Sequence, residues 1–303
     1  MTPHVSVVLP TRNRLPQLRR ALAGVAAQSF RDCEVIVVDD GSTDGTREWL
    51  SDGCAGVRFV TTPAPGGAGA ARNRGIAQAR GELIAFLDDD DVWRPAYLEQ
   101  QVRHLDANRE AALSYADHVE IDASGRARRP DTRALMKYRT VLVRMLAESF
   151  IHTMSVVMCR RGLFDALGHF DESLHIVHDL EWYARLLAAG QQFVHLPQTL
   201  VGRAVPGGLV TRHRQWLEEE RRVVETTFAA GATVPGDERL VRACRSLYFA
   251  RLGFSRGDVP FGLACLADAL RTSTRWTLRI AARRVDRRLQ RPDRAETREA
   301  AAP

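Results

Sequence analysis

The sequence predicts an α/β protein built on a parallel sheet, with a helical region at its C-terminal end. Strand-like and helix-like patterns alternate four times within about the first ninety residues, as right-handed βαβ crossovers do. The strand-like runs are short, apolar and rich in β-branched residues, which is typical of strands buried on both faces. Beyond about residue 208 only helical patterns remain.

The elements follow one another along the chain with ordinary start and stop signals. Residues 5–9 form an apolar run closed by Pro10, and Pro16 then opens a helix in which leucines recur at helical spacing. The segment Asp122-Ala-Ser-Gly125 predicts a hairpin turn. The other predicted elements are strands at 34–38, 57–61, 82–87, 113–121 and 154–159, and helices around Trp49 and at 70–79.

Length and composition are those of a globular protein with one large domain and a helical appendix. The 303 residues include 45% hydrophobic and 26% charged side chains, enough for a full core. We predict a sheet domain over 1–205, a helical region over 206–291 and a disordered tail over 292–303. The five cysteines lack metal-binding spacing, and no run resembles a signal peptide or a membrane span, so we expect a cytoplasmic protein.

Three polar clusters come where predicted strands end, at residues 10–14, 39–44 and 88–91. The carboxyl ends of parallel strands meet at the edge of a sheet where ligands bind. The third cluster is a run of four aspartates directly after the strand at 82–87. Adjacent carboxylates repel one another, and a divalent cation such as Mg²⁺ or Mn²⁺ relieves that repulsion. An acidic run is often only a solvated turn, but this position favours a ligand site.

Four segments together resemble the glycosyltransferases of family 2. They are Val5-Ser-Val-Val-Leu-Pro-Thr-Arg-Asn13, Val37-Val-Asp-Asp-Gly-Ser-Thr-Asp-Gly-Thr46, Ala71-Arg-Asn-Arg-Gly75 and Phe86-Leu-Asp-Asp-Asp-Asp-Val-Trp93. The resemblance covers about residues 4–205 and implies the GT-A fold for the predicted domain at 1–205, with a Rossmann-like nucleotide-binding sheet and a mixed second half. It also implies an inverting transfer of a sugar from a nucleotide-diphosphate donor, with UDP- or dTDP-sugars favoured, to a hydroxyl acceptor.

The resemblance assigns roles to particular positions of this sequence. Asp40 would accept a hydrogen bond from the base, and Arg72 would lie near the base and the diphosphate. Asp88 would face the ribose, and Asp90 would reach the Mn²⁺ or Mg²⁺ ion that stabilises the departing diphosphate. For Asp44 we expect a role in shaping its turn. In full, the implied nucleotide-sugar-binding residues are Pro10, Thr11, Arg12, Asp40, Arg72, Asp88 and Asp89, and the implied metal ligands are Asp90 and Asp88.

An inverting transfer also needs a carboxylate that removes the proton of the attacking hydroxyl. The resemblance implies a base in the segment His178-Asp-Leu-Glu-Trp-Tyr183, where Asp179 matches it and the upstream Gly168-His-Phe-Asp-Glu172 supports the register. Two alternatives stay open, since Asp179 could instead be a helix N-cap and Glu181 could be the base. His178 stands where the family commonly has glutamate, so its role is undetermined.

The C-terminal helices are strongly basic, with eight arginines from Arg271 to Arg291 against only Asp286. The apolar residues predicted to share one helix face are Leu270, Leu278, Ala281, Val285 and Leu289. The first interpretation is a docked helix with a solvated basic face, and the second is a peripheral anchor to anionic lipid at the inner face of the membrane. No nucleic-acid-binding module is recognisable, so we expect no nucleic-acid partner.

Two other classes of function are weighed against transfer. A sugar-phosphate nucleotidyltransferase would need a glycine-rich loop after the first strand, and the segment from Leu9 to Asn13 contains no glycine. A non-catalytic nucleotide-sugar binder or scaffold would not need the base. The expected partners are therefore a nucleotide-sugar donor and a polysaccharide, lipid-linked or small-molecule acceptor.

Overall fold

The structure, a computed structural model, describes residues 2–53, 56–62, 64–131, 134–205, 212–232 and 236–289. Its contacts divide the chain into two units. The first unit comprises Met1–Pro130, Ile151–Trp182 and Gly190–Gly207, and the second comprises Asp131–Phe150, Tyr183–Ala189 and Gly208–Pro303. The second unit thus includes two segments that precede residue 205 in the chain, Asp131–Phe150 and Tyr183–Ala189. The predicted boundary after residue 205 stays a prediction. The predicted tail at 292–303 lies outside the described residues.

The first half of the sheet is parallel and confirms the predicted alternation. Strand β1 pairs with β2 and with β4, and β2 pairs with β3, all in parallel. Val7 and Val8 are fully buried in β1, because helices cover both faces of such a sheet. Pro16 lies in the first turn of the first helix. In chain order the elements are β1 (Val5–Thr11), α1 (Leu15–Ala26), β2 (Cys33–Asp39), α2 (Thr46–Ser51), β3 (Val57–Thr61), α3 (Gly67–Gln78) and β4 (Leu83–Phe86).

The second half of the sheet is mixed, so the prediction of a parallel sheet is wrong beyond β4, while the mixed half implied by the family resemblance is present. The elements are β5 (Val92–Trp93), α4 (Tyr97–Ala107), β6 (Ala111–Ile121), β7 (Ala127–Arg128), α5 (Val141–Glu148), a 3₁₀ turn (Met154–Val156), β8 (Val157–Arg160), α6 (Gly162–Leu167), α7 (His178–Ala188) and β9 (Gln192–Ala204). The strand order is β3-β2-β1-β4-β8-β6-β9-β5, with β7 on β6. β8 runs antiparallel to both β4 and β6, so β6 again points in the direction of β4.

The predicted hairpin turn is present between β6 and β7. The Asp122 side chain accepts hydrogen bonds from the backbone N–H groups of Ser124 and Arg126, at 2.9 and 3.1 Å. Gly125 has φ +81°, a conformation that glycine adopts without strain. The turn therefore forms for the reason that its sequence indicated.

The second unit contains α5 and three further helices, α8 (His213–Ala229), α9 (Asp237–Ser255) and α10 (Val259–Leu289). A buried ion pair joins Glu220 of α8 to Arg245 of α9, and Trp216 donates a hydrogen bond to the same carboxylate at 2.6 Å. An apolar cluster packs beside it and consists of Leu217, Phe249, Ala250, Phe261 and Cys265. No helix in the described part of the chain is both long and apolar enough to cross a membrane.

Helix α10 is interrupted at Ser273, whose φ and ψ are −168° and 102°. The described members of the predicted apolar face, Leu270, Leu278 and Ala281, are all exposed, so the helix is not docked through this face. Leu278, assigned to that face, is 62% exposed, whereas Ile280, assigned away from it, is fully buried. The side chains of Val285 and Leu289 lie outside those described.

Candidate active site

The four aspartates follow β4 at the carboxyl edge of the sheet, as predicted, and the chain beyond β6 holds two of them in place. The Thr153 hydroxyl lies 3.2 Å from an Asp88 carboxylate oxygen and 2.9 Å from one of Asp91. The backbone N–H of Asp88 donates to the Ser155 hydroxyl at 2.9 Å. Sequence reasoning did not single out Thr153, because nothing in its local pattern indicates that it meets residues more than sixty positions earlier.

Asp91 has a structural role within the run of four aspartates at 88–91, the acidic motif. Besides Thr153, its carboxylate accepts the backbone N–H of Ala204, at the end of β9, at 3.0 Å. Burial, followed by repulsion from Asp88, raises the pKa of Asp91 to about 7. These two hydrogen bonds engage both oxygens of the buried carboxylate, so Asp91 joins β9 to the motif.

Asp89 and Asp90 share a cation from the first polar cluster. One Arg14 nitrogen lies 3.0 Å from an Asp89 oxygen and 2.8 Å from an Asp90 oxygen. Asp89 also accepts the Thr11 hydroxyl at 2.8 Å. Burial raises the pKa of Asp89 to about 6 although Arg14 opposes the shift, and it raises that of Asp90 as well, with a further contribution from Asp88. The sequence held one signal for this contact, a basic residue within the cluster at 10–14.

The remaining predicted residues of the first cluster lie at the end of β1. Pro10 and Thr11 are its last two residues, and Arg12 is exposed just beyond them. Thr11 is buried and bonded to Asp89, so its hydroxyl orients the acidic motif. Whether Pro10, Thr11 and Arg12 line a base pocket stays a prediction.

Asp40 is buried and anchors a loop. Its two oxygens accept the backbone N–H groups of Gly66 and Gly67, each at 2.9 Å, and the Thr62 hydroxyl lies 3.2 Å from one of them. Asp40 therefore fixes the start of α3, the helix that carries Arg72. The predicted contact between Asp40 and a nucleobase stays a prediction.

Asp44 shapes its turn, as expected. One oxygen accepts the hydroxyl of Thr46 at 2.6 Å, and the other accepts the backbone N–H of Leu15 at 3.1 Å. The Asp44 side chain thus ties the loop after β2 to the start of α1.

Arg72 lies at the centre of the candidate site. It is 4% exposed and projects from α3, with one guanidinium nitrogen on Asp88 and another on the Nε2 atom of His178. A cation held between a carboxylate and an imidazole is oriented from two sides. The structure thus brings together three residues from α3, the loop after β4 and α7, of which Arg72 and Asp88 were predicted.

Asp179 is a half-buried residue in the first turn of α7. One oxygen accepts the backbone N–H of Leu180 at 2.8 Å, and the other has no hydrogen-bond partner among the described residues. Burial raises the pKa of Asp179 to about 6, and Arg72 opposes that shift while Asp88 adds to it. The N-cap interpretation does not match this position, because α7 already begins at His178.

The acidic motif fits a divalent cation only as part of a ligand set. Within the described ranges no group of three or more His, Cys, Asp or Glu side chains is arranged to hold a metal ion. The Asp88 and Asp90 carboxylates are nevertheless partly exposed oxygen donors of the kind that Mn²⁺ and Mg²⁺ prefer. Burial and the neighbouring carboxylate raise the pKa of Asp90, so positive charge beside it is stabilising. The remaining ligands would have to come from a bound molecule or water.

A mixed sheet of this topology, with carboxylates after β4 and at the start of α7, defines the class of nucleotide-diphospho-sugar transferases with the GT-A fold. Residues 6–168 match the family model described as glycosyl transferase family 2. That match covers more than half of the 303 residues, and the chain belongs to this family. The predicted family, its fold and its class of enzyme, the glycosyltransferases, are thereby confirmed.

Two bacterial relatives illustrate the similarity. An uncharacterised glycosyltransferase of Rickettsia typhi is 31% identical over 200 residues, which cover 64% of this chain and 62% of the relative. TuaG of Bacillus subtilis, named as a teichuronic acid biosynthesis glycosyltransferase, is 35% identical over 119 residues, 38% of this chain and 47% of the relative. The chain thus matches less than two thirds of the length of these relatives.

Solved structures share the fold. Residues 1–349 of Staphylococcus aureus TarS superpose with a TM-score of 0.65 at 20% identity, covering 93% of this chain and 88% of that one. TarS structures with UDP and with UDP-GlcNAc superpose equally well, each with a TM-score of 0.64. The mannosyltransferase PcManGT of Pyrobaculum calidifontis, in complex with GDP-Man and Mn²⁺, gives a TM-score of 0.58 at 20% identity over 96% of this chain and 89% of that one.

Proposed function

We propose that this protein is an inverting glycosyltransferase in which Asp179 is the general base. The observation that carries the proposal is the geometry around Arg72, which contacts Asp88 of the acidic motif and His178, the neighbour of Asp179. A donor bound at the acidic motif would therefore lie close to a carboxylate with one oxygen not engaged by the protein. Family membership supports the reaction class.

Each residue has a chemical task in this proposal. The free oxygen of Asp179 takes the proton of the acceptor hydroxyl as that oxygen attacks the anomeric carbon. Arg72 attracts the negative charge that builds on the departing diphosphate, and its rigid fork of donors suits phosphate oxygens. Asp40 would bind the base, in addition to anchoring the loop at Gly66.

The test is donor turnover by purified protein. We expect release of nucleoside diphosphate from UDP- or dTDP-sugars in the presence of Mn²⁺, and its loss in Asp179→Asn. Glu181→Gln is the matched control, because Glu181 lies on the same first turn of α7. Loss in Glu181→Gln with activity kept in Asp179→Asn would transfer the role to Glu181. A wild-type protein that binds the donor but never turns it over would favour a non-catalytic binder.

We assign the metal to Asp90 and Asp88. A divalent ion there would supply positive charge to the diphosphate leaving group, and the Mn²⁺ in the PcManGT complex supports such a role. Arg14 now holds Asp90, so metal binding has to compete with it. Asp90→Asn should weaken the Mn²⁺ dependence of donor turnover, and a dependence equal to that of the wild type would remove Asp90 from the ligand set.

The donor and acceptor are proposed from the relatives. UDP and UDP-GlcNAc bind to TarS, which supports a UDP-sugar for this chain, although GDP-Man in PcManGT keeps the base open to test. TuaG is named for teichuronic acid biosynthesis, which supports a polysaccharide acceptor. A thermal-shift screen of nucleotide-sugars with Mn²⁺ would identify the donor, because a ligand raises the melting temperature according to its affinity.

We also propose the peripheral membrane contact, through leucines and arginines that are exposed on α10. Leu263 and Leu278 of α10 are exposed, at 54% and 62%, together with the exposed Arg271, Arg275 and Arg279. Exposed leucines among arginines suit the interface of an anionic bilayer. The chain should sediment with vesicles of 3:1 phosphatidylcholine and phosphatidylglycerol at low salt.

The control for this contact is an exposed apolar residue elsewhere. The double variant Leu263→Ser/Leu278→Ser should lose vesicle binding, while Val141→Ser, a change at an exposed valine of α5, should keep it. Absence of wild-type binding at low salt would end this proposal and leave the transferase proposal untouched.

A further inference from the structure

His178 has a contact that family membership does not explain. It is the first residue of α7, is 6% exposed, and lies against Arg72. The rings of His178 and Phe170 meet edge to face with centroids 5.7 Å apart. On the opposite element, a Cβ atom added to Gly69 of α3 would come within 3.3 Å of the His178 side chain. The imidazole therefore has little room to rotate.

The chemistry of the contact fixes the state of the ring. An arginine guanidinium has only donors, so the Nε2 atom of His178 has to accept and carries no proton. A neutral imidazole then carries its proton on Nδ1. Burial, followed by the charge of Arg72, lowers the pKa of His178 to about 3, which agrees with a ring that stays neutral at physiological pH. The contact thus orients Arg72 without neutralising it.

The absence of charge on His178 has a consequence for Arg72. Asp88 is one carboxylate already on this guanidinium. A neutral acceptor leaves the charges of Arg72 and Asp88 balanced until an anionic ligand binds.

We propose that His178 is a positioning residue that holds the Arg72 guanidinium toward the nucleotide by accepting its hydrogen bond on Nε2. The inference rests on the proposed donor site, and it identifies His178 as the residue that fixes the orientation of Arg72 there. Because His178 precedes Asp179 in the same helix turn, it also links the position of the base to that of the nucleotide.

Two variants of the full chain test the acceptor atom of His178. His178→Gln keeps an acceptor oxygen near the Nε2 position, and His178→Phe keeps the ring without an acceptor. We expect the Kd for UDP with Mn²⁺ to rise about tenfold in the Phe variant and to stay within about threefold of wild type in the Gln variant. Donor KM should follow the Kd, with a smaller change in kcat. His195→Gln, at a partly exposed histidine of β9 that pairs with Asp117, is the control and should change neither.

A second measurement needs no ligand. The ¹⁵N spectrum of the histidine rings in the wild-type chain should contain one buried ring with a protonated Nδ1 and a bare Nε2, and this signal should disappear in His178→Gln. A protonated Nε2 at His178 would overturn the inference, as would equal UDP affinities in the Phe and Gln variants. If wild-type protein fails to bind UDP, the proposal of a UDP-sugar donor fails. The ¹⁵N spectrum of the histidine rings still tests the role proposed for His178.

Discussion

Replacing Asp179 by asparagine tests the proposed base most directly. The change keeps the size of the side chain and the acceptor for the Leu180 N–H, but it removes the group that takes a proton. Loss of a general base lowers kcat by about 10² to 10⁴, equivalent to roughly 3–5 kcal/mol of barrier. A turnover within threefold of wild type would refute the assignment.

The pH profile supplies an independent magnitude. With the pKa of Asp179 raised to about 6, about nine tenths of the carboxyl is ionised at pH 7 and about one tenth at pH 5. The kcat/KM of the wild type should therefore fall about tenfold between these values, measured as nucleoside diphosphate release at saturating acceptor. An inflection near pH 4 would contradict the conclusion that burial raises the pKa of Asp179.

Asp179→Asn should lower the activity but raise the free energy of unfolding. A carboxyl whose pKa is raised in the folded state loses stability as the pH rises through about 6, because its ionised form is partly buried. Asp179→Asn should therefore stabilise the fold at pH 8 by about 2 kcal/mol after allowance for its partial exposure. The gain should vanish below about pH 4, where the wild-type carboxyl is protonated in both states. Thermal denaturation at pH 4 and pH 8 measures both values.

Three further changes have defined outcomes. Glu220→Gln leaves Arg245 buried without its ion-pair partner and should cost roughly 3–5 kcal/mol in a denaturant titration, while an effect under about 1 kcal/mol would contradict the burial. Gly75→Ala puts a methyl group 2.5 Å from a β1 valine and should cost about 1–3 kcal/mol, whereas Gly162→Ala, with open space, should be neutral by the same titration. Thr153→Val removes the hydroxyl shared by two aspartates of the acidic motif and should lower the melting temperature and raise the Kd for UDP, with unchanged values excluding its anchoring role.

The first half of the sheet was predictable because its elements are local and strongly patterned. The strand at 57–61 was predicted with the bounds that the structure gives, and the helix at 70–79 begins three residues earlier, at Gly67. The strands β1 and β2 bury β-branched side chains on both faces, so their sequences carry the signal directly.

Two elements escaped prediction for physical reasons. β9 spans 13 residues of which only three are buried, contains Pro197, and has bulges in its pairing with β6, so neither alternation nor a continuous apolar run marks it. The interruption of α10 at Ser273, which leaves the helical conformation, was not predicted either. No strong breaker such as proline or glycine stands at that point of the sequence to indicate the interruption.

At the candidate site, the residue types were predictable and their partners were not. The family resemblance singled out Asp40, Arg72 and Asp179, which lie beside the carboxyl edge of the sheet. It did not indicate that Asp40 holds two backbone N–H groups, or that Arg14 pairs with Asp89. Those contacts join residues 26, 27 and 75 positions apart, and local patterns contain no information on such pairs.

The two anchors of Asp91 bear on how this protein can evolve. A hydroxyl at Thr153 and a backbone amide at Ala204 meet its carboxylate across 62 and 113 positions of chain, and the amide imposes no choice of side chain. The segments between these anchors can lengthen, shorten or diverge while the acidic motif keeps its shape. Sequence changes in the intervening segments can therefore alter the surroundings of the motif without displacing its carboxylates.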